Sequence, residues 1–270
     1  MKYPIGIQSF DQIIGDGYVY VDKTGLIYQL VKGGKIYFLS RPRRFGKSLL
    51  VSTLKCYFQG RKELFKGLAI DKLETDWAEY PVFHIDFSQT DFLNPNLLEE
   101  KLEENISAWE QIYGKGEFAF SLGSRFAYVL KQAHKQSGRR CVVLIDEYDK
   151  PVVDALGTGL KIKKDINELL LETYYKQLLG SFYSTLKASD EDLHFILITG
   201  MTRFTQATPF SGFNNFSDIS TDRRYETLCG ITQEELEHYF AEPIKALAVK
   251  YKVTEEGMLD MLKHRYDGYH

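Results

Sequence analysis

The stretch from Lys35 to Leu50, KIYFLSRPRRFGKSLL, constrains this chain more than any other. It joins a short apolar run to a Gly-Lys-Ser tripeptide and then to a helical pattern. Of the phosphate-loop pattern G-x-x-x-x-G-K-[ST], Gly46, Lys47 and Ser48 fill the last three specified places. Arg41 stands where the first glycine belongs, and Pro42 follows it. Such a loop works only after a buried strand and at the start of a helix, where backbone N–H groups and the positive helix end converge on phosphate oxygens. Both flanks are present: Lys35–Ser40 reads as a strand. GKSLLVSTLKCYFQG reads as a helix, with Leu50, Leu54 and Phe58 on one face and Gly60 ending it. The expected ligand groups are therefore Arg43, Arg44, Phe45, Gly46, Lys47, Ser48 and Leu49. In them Lys47 reaches the β and γ phosphates and the Ser48 hydroxyl holds Mg²⁺. The bland alternative is an accidental tripeptide with solvated arginines, and the Arg41-Pro42 start demands ordinary negative φ where a glycine would be free.

A second feature lies about a hundred residues on. CVVLIDEYDKP places Asp146 and Glu147 at the carboxyl end of a strongly apolar run, the Walker B arrangement. Asp146 is expected to hold the metal and Glu147 to polarise the attacking water, while Asp149 reads as a surface carboxylate. A third run, LHFILITGMTRF, ends in Thr199, Gly200, Thr202 and Arg203. Arg203 is the candidate for stabilising charge on the γ-phosphate, in cis or across an interface, with Arg223 and Arg224 as runners-up.

The fold follows from alternation. Lys35–Ser40, Pro81–Ser88, Cys141–Asp146 and Leu193–Gly200 read as buried strands, with Tyr225–Gly230 as a short fifth. Helical patterns lie between them, including NPNLLEEKLEENISAWEQIYG, SRFAYVLKQAHKQSG and DINELLLETYYKQLLGSFYSTLK. YVYVDKTGLIYQL reads as a short strand and a helix capped by Asp22 or Thr24. The expectation is an α/β P-loop NTPase with a mostly parallel five-stranded sheet flanked by helices, plus a small C-terminal helical lid. The boundary is set at residues 1–230 and 231–270, because TQEEL is a capping box that opens an all-helical tail interrupted by Pro243. The stop at YDGYH, without a polar tail, suggests a fragment of a longer protein.

Composition removes several classes. With 270 residues, 44% of them hydrophobic, the chain can bury a sizeable core. A net charge of -3 gives no general grip on nucleic acid. The three cysteines, Cys56, Cys141 and Cys229, have neither disulfide-framework nor zinc spacing. Neither a leader nor an apolar run long enough to span a membrane is visible, so the chain reads as cytoplasmic with no membrane partner.

Seven ordered segments, PIGIQSFDQII, YVYVDKTGLI, FLSRPRRFGKSLLVSTL, VVLIDEYDKP, LITGMTRF, LCGITQEEL and YDGY, together resemble the AAA-ATPase-like family of bacterial proteins across essentially the whole chain. In that family the Arg-Pro-Arg-Arg-Phe-Gly-Lys-Ser loop is the usual form. The resemblance implies a P-loop ATPase core binding ATP and Mg²⁺, followed by a helical lid. It also implies a C-terminal domain similar to PD-(D/E)XK nucleases, absent here, which makes nucleic acid a partner by analogy alone. The leading reading is Mg²⁺-dependent ATP binding and hydrolysis that moves a lid or that partner domain. The alternatives are a nucleotide-gated scaffold with negligible turnover and a small-molecule kinase, against which the adjacent Asp146-Glu147 pair speaks.

Overall fold

The computed structural model describes residues 2–164, 167–202 and 216–266. In chain order the strands are β1 (Ile36–Ser40), β2 (Val82–Asp86), β3 (Cys141–Asp146), β4 (Lys161–Lys164), β5 (Asn167–Leu170), β6 (Leu193–Gly200) and β7 (Ser217–Asp218). Five of them form one sheet in the order β2-β3-β6-β1-β7, with every pairing parallel. The pair β4 and β5 is a separate antiparallel hairpin. The α/β architecture expected from alternation is the one observed.

Parallel strands need crossover helices, and these cover both faces. On one face lie α1 (Phe10–Gly15), α2 (Thr24–Gly33) and α3 (Lys47–Phe58). On the other lie α4 (Leu97–Tyr113), α5 (Leu122–Ser137) and α7 (Leu171–Ala188), with α6 (Lys150–Ala155) beside α7. The period-two alternation of strand side chains sorts the core accordingly. Val142, Leu144, Phe195, Leu197, Tyr37 and Leu39 pack with Leu50, Leu54 and Phe58 of α3. Val143, Ile145, Ile196, Ile198 and Phe38 pack with Leu98, Leu102 and Ile106 of α4 and with Phe126 and Phe182. All six residues of β3 are buried, which is why that run carries no polar position before Asp146.

The tail forms α8 (Gln233–Tyr239), α9 (Ala241–Tyr251) and α10 (Glu255–Tyr266) around its own small core of Ile244, Ala248 and Met258. Thr232 and Glu235 form the capping box read from TQEEL. The break falls at Phe240, and Pro243 sits in the first turn of α9, where a missing N–H costs nothing. Among the described residues no helix is long and apolar enough to cross a membrane.

Three local expectations are corrected. The fifth strand is Ser217–Asp218, paired with Tyr37 and Phe38, and not Tyr225–Gly230. Tyr225, Leu228 and Cys229 are apolar because they turn into the core beside α2 and β1 from a short 3-10 turn, Arg223–Tyr225, whose backbone bonds are local turns and not a strand ladder. The helix read from Asp165 onward begins only at Leu171, after the hairpin. There Ile162 alone of Lys161–Lys164 is buried, an alternation that belongs to a strand. The strand read at Tyr18–Val21 is reduced to one bridge between Tyr18 and Lys2.

His84 and His194 lie in β2 and β6 as expected for strand histidines, and burial lowers the pKa of each. The three cysteines are free and buried, and burial pushes Cys141 up to about 12 and Cys229 up to about 11.

A side-chain cluster ties α4 to α5. The Arg125 guanidinium donates through Nε and Nη2 to both carboxylate oxygens of Glu110, at 2.8 and 2.7 Å, and through Nη1 to Glu103. The bonds from Arg125 hold both carboxyls below the usual glutamate range. Arg125→Met should therefore cost about 3 kcal/mol at neutral pH, since it leaves the buried Glu110 charge without its partner. The sign follows from linkage: a carboxylate with a lowered folded pKa stabilises above its unfolded value and loses that contribution as pH falls through the folded one. The gap between wild type and variant in urea denaturation should then narrow steadily below about pH 4.

Candidate functional site

The strand order puts β6 between β1 and β3, so three strand ends open on one edge. β1 ends at Ser40, and the loop Arg41–Gly46 carries the chain into α3 at Lys47. Two residues of that loop take left-handed conformations, Arg44 at φ 66° and Gly46 at φ 85°. Alternation of hand turns successive N–H groups inward and makes an anion-binding concavity. Gly46 occupies the position immediately before α3, where a side chain would be strained.

Arg41 does not disable the loop, because its side chain leaves it. Its N–H donates to Gly200 O at 3.2 Å and extends the β1–β6 ladder by one residue. Its guanidinium donates to the Ser220 carbonyl and, at 3.2 Å, to Ser40 O. The residue in place of the first glycine thus fastens the loop to the segment after β7. Lys47 is only 4% exposed, and its ammonium donates to the carbonyls of Arg41 at 3.0 Å and Pro42 at 3.1 Å. That brings the ammonium back over its own loop.

Asp146, 2% exposed, ends β3 and accepts a close hydrogen bond from Thr199 Oγ1 of β6. The same hydroxyl accepts from Glu147 N–H at 3.4 Å. Glu147 has φ 53°, a left-handed conformation unusual for a side chain of its size, which costs on the order of 1 kcal/mol. Desolvation, and then the neighbouring Asp146 charge, raise its pKa, against the opposing pull of Lys47 and Arg43. A half-buried carboxylate with a raised pKa is suited to accept a proton.

Lys47, Ser48 and Glu147 line one cleft of about 660 Å³, with Arg43, Arg44 and the strap Ile5–Gln8 completing it. A smaller, mostly apolar pocket of about 300 Å³ lies on the other side of the loop, against Ile27, Leu50, Leu228 and Cys229. Arg44, Gly46 and Leu49 line both. The segment leading into the C-terminal helices borders the apolar side through Gly230, Ile231 and Phe240: Gly230 N–H donates to Phe45 O at 3.0 Å, and Lys23 Nζ meets both oxygens of Glu235 of α8 at 2.5 Å. Lys23 is thus a buried cross-link to the C-terminal helices. The cap read at Asp22 or Thr24 is corrected: Lys23 holds the N-cap position of α2 and Thr24 is its first residue, while Asp22 lies one residue earlier and accepts from Thr24 N–H and Oγ1 at 2.8 and 2.6 Å.

Of the residues singled out from sequence, Lys47, Ser48, Glu147, Arg43, Arg44, Gly46 and Leu49 meet at the cleft. Phe45 faces the apolar pocket, and Asp146 lies buried beside Glu147. Arg203 lies outside the described residues. Arg224 is held by Asp222, with its Nη2 at 2.6 Å from the carboxylate, and is exposed. Sequence reasoning missed Tyr20, Leu228 and Cys229 of the apolar pocket, whose only local signal is that they are apolar. It also misplaced Asp149, which is 4% exposed rather than a surface group.

The family model AAA-ATPase_like, described as predicted AAA-ATPase, matches residues 4–210. An uncharacterized protein in the vnfD 5′ region of Azotobacter chroococcum mcd 1 is 41% identical over 248 residues, which is 91% of this chain and 46% of that protein. The chain therefore spans about half the length of this curated relative. No solved structure matches.

The packing at the β6 end makes a direct prediction. A Cβ on Gly200 would lie 2.4 Å from the Tyr148 ring and 2.8 Å from Asp149 Oδ1. Gly200→Ala should destabilise the fold by about 2 kcal/mol or more through overpacking, read as a lower midpoint in urea with an unchanged slope.

Proposed function

The chain belongs to the predicted AAA-ATPase family, and on that footing we propose that it binds Mg²⁺-ATP across the Gly46 turn and hydrolyses it beside Glu147. The observation that carries this reading is the pair of cavities that share Arg44, Gly46 and Leu49. One is cationic and holds a single carboxylate, as a triphosphate and its attacking water require. The other is apolar and of a size to take a heterocyclic base.

In this reading the loop N–H groups from Arg43 to Leu49 bind phosphate oxygens, aided by the amino end of α3. Lys47 exchanges its bonds to the Arg41 and Pro42 carbonyls for β and γ phosphate oxygens. The metal fits the donors present: Mg²⁺ takes hard oxygens, usually one or two from protein with the remainder from phosphate and water. Ser48 Oγ and the Asp146 carboxylate would hold it, Asp146 by giving up its bond from Thr199 Oγ1. When bound it neutralises charge on the β and γ oxygens. Glu147 takes a proton from water, whose oxygen forms the new bond to γ-phosphorus as the bond to the β–γ bridging oxygen breaks. The products are ADP and phosphate. Arg203 is proposed to stabilise the charge that develops on the transferring group. Occupancy of the apolar pocket would be felt by the lid through Gly230 and the Lys23–Glu235 pair, which couples nucleotide state to lid position.

A second reading, a nucleotide-gated scaffold with negligible turnover, is favoured by one observation. Lys47 and Asp146 both have internal partners, and these must be displaced before chemistry.

Calorimetric titration with Mg²⁺-ATP and phosphate release on the same samples decide between them. Glu147→Gln should bind ATP within about threefold of wild type while turnover falls by about 10²-fold or more. Lys47→Ala should lose at least about tenfold in affinity, the worth of one charge-assisted phosphate contact. Tight binding to wild type without turnover would establish the scaffold. A wild type that binds no nucleotide would end both readings.

A further inference from the structure

Asp149 stands at the N-cap position of α6, yet its side chain makes no bond to that helix. Its carboxylate reaches across to β6 instead. Oδ2 accepts from Met201 N–H at 3.1 Å, Thr202 N–H at 2.6 Å and Thr202 Oγ1 at 2.7 Å, and Oδ1 accepts from Met201 N–H at 3.3 Å. Two consecutive backbone N–H groups and a hydroxyl thus converge on one buried charge. Such charge-assisted bonds are roughly twice as strong as neutral ones. Gly200 permits the approach, since any side chain there would strike Tyr148 and Asp149.

The same turn is gripped from the opposite side by the phosphate loop. Arg43 Nε donates to Met201 Sδ at 3.0 Å, and Ser40 Oγ donates to Met201 O at 3.4 Å. The Met201–Thr202 turn therefore spans the end of β3 and the loop that would hold phosphate. Because Asp149 follows Glu147 by two residues, one short segment carries both the base and the anchor of the turn.

We propose that Asp149 is a positioning residue for γ-phosphate chemistry: it fixes the Met201–Thr202 turn against the phosphate loop, so that loop, base and β6 edge keep one geometry. This rests on the ATP reading above. Asp149 itself touches neither phosphate nor water. Its effect appears in the transition state, where a displacement of about 1 Å costs up to about 10²-fold in rate.

The test uses Asp149→Asn, Thr202→Val and the double variant in the full chain. Asn keeps the shape but sets an amide NH₂ or a single oxygen against the converging donors. Thr202 is exposed, and Thr202→Val removes the hydroxyl that donates to Asp149, together with its 3.3 Å contact to Tyr148 Oη. With Mg²⁺-ATP, kcat should fall about tenfold or more in Asp149→Asn and severalfold in Thr202→Val, while KM stays within about twofold. The double variant should be no worse than Asp149→Asn, because both act through one contact. Losses that add in full would assign Thr202 a separate role and overturn the proposal, as would an unchanged kcat in either folded variant. Should Asp149→Asn fail to fold, the kcat of Thr202→Val decides alone. If wild type binds ATP without turning it over, the deciding quantity is the ratio of ADP to ATP dissociation constants. That ratio should fall towards one in Thr202→Val, and an unaltered ratio rejects the role for Asp149. A wild type that binds no nucleotide overturns the ATP reading itself, and this inference with it.

Discussion

The insertion of β6 between β1 and β3 is the constraint on which the rest of the site depends. Parallel pairing sets Leu39 opposite Thr199 and Ser40 opposite Gly200 on one side, and Ile145 opposite Ile198 on the other. The three strands consequently end within about a residue of each other, on the carboxyl edge where open α/β sheets hold their ligands. A slip of one residue would move every core side chain of β6 to the wrong face, so burial on both sides enforces the register. Phe195 and Leu197 face α3 while Ile196 and Ile198 face α4, α5 and α7. The same packing that stabilises the sheet thus brings Thr199 to Asp146 and the Met201 turn to Asp149.

At that edge the polar groups are satisfied by one another. Lys47 is bonded to loop carbonyls, Asp146 to Thr199 and Asp149 to the turn after β6. Glu147 stands apart, in a left-handed conformation and with its carboxyl pushed up by desolvation. Strain and an unfavourable charge environment at one residue suit the proton abstraction proposed for Glu147, and they are costs that packing elsewhere must offset. The large aromatic core does so: Phe126, for example, stacks on both Trp109 and Phe182 at centroid distances of 5.3 and 5.2 Å.

Much of this was legible in the sequence because buried parallel strands are uninterrupted apolar runs. Cys141–Asp146 and Leu193–Gly200 announce themselves that way, and Gly46-Lys47-Ser48 and Asp146-Glu147 follow their strands directly. Ser217–Asp218 has no such run, because an edge strand of two residues needs none. Tyr225–Gly230 borrowed the appearance of a strand from side chains buried by tertiary packing. Arg41 looked like a defect since its partner, the Ser220 carbonyl, lies 179 residues away. Asp149 looked like a surface group for the same reason: its donors, Met201 and Thr202, come from the turn after β6, about fifty residues on. Short-range pattern reports what a residue's neighbours in the chain require, and these residues answer to neighbours in space.

The unit formed by the C-terminal helices shows the converse. Among the described residues its core is three buried side chains with five partly buried ones against them, whereas Val249 is 80% and Tyr251 54% exposed, so it contributes little cohesion of its own. Among the described residues it is tied to the core by Lys23 with Glu235, Asp22 N–H with Tyr239 Oη at 3.3 Å, and Tyr3 stacked on Phe240 at 5.2 Å. A unit with few buried contacts opens at low free-energy cost, and one whose contacts border a cavity opens or closes with that cavity's occupant. The Gly230 bond to Phe45 makes this specific, because Phe45 belongs to the phosphate loop itself. In the ATP reading proposed above, a nucleotide that reshapes the loop would move the acceptor of that bond, and the C-terminal helices would follow through Gly230.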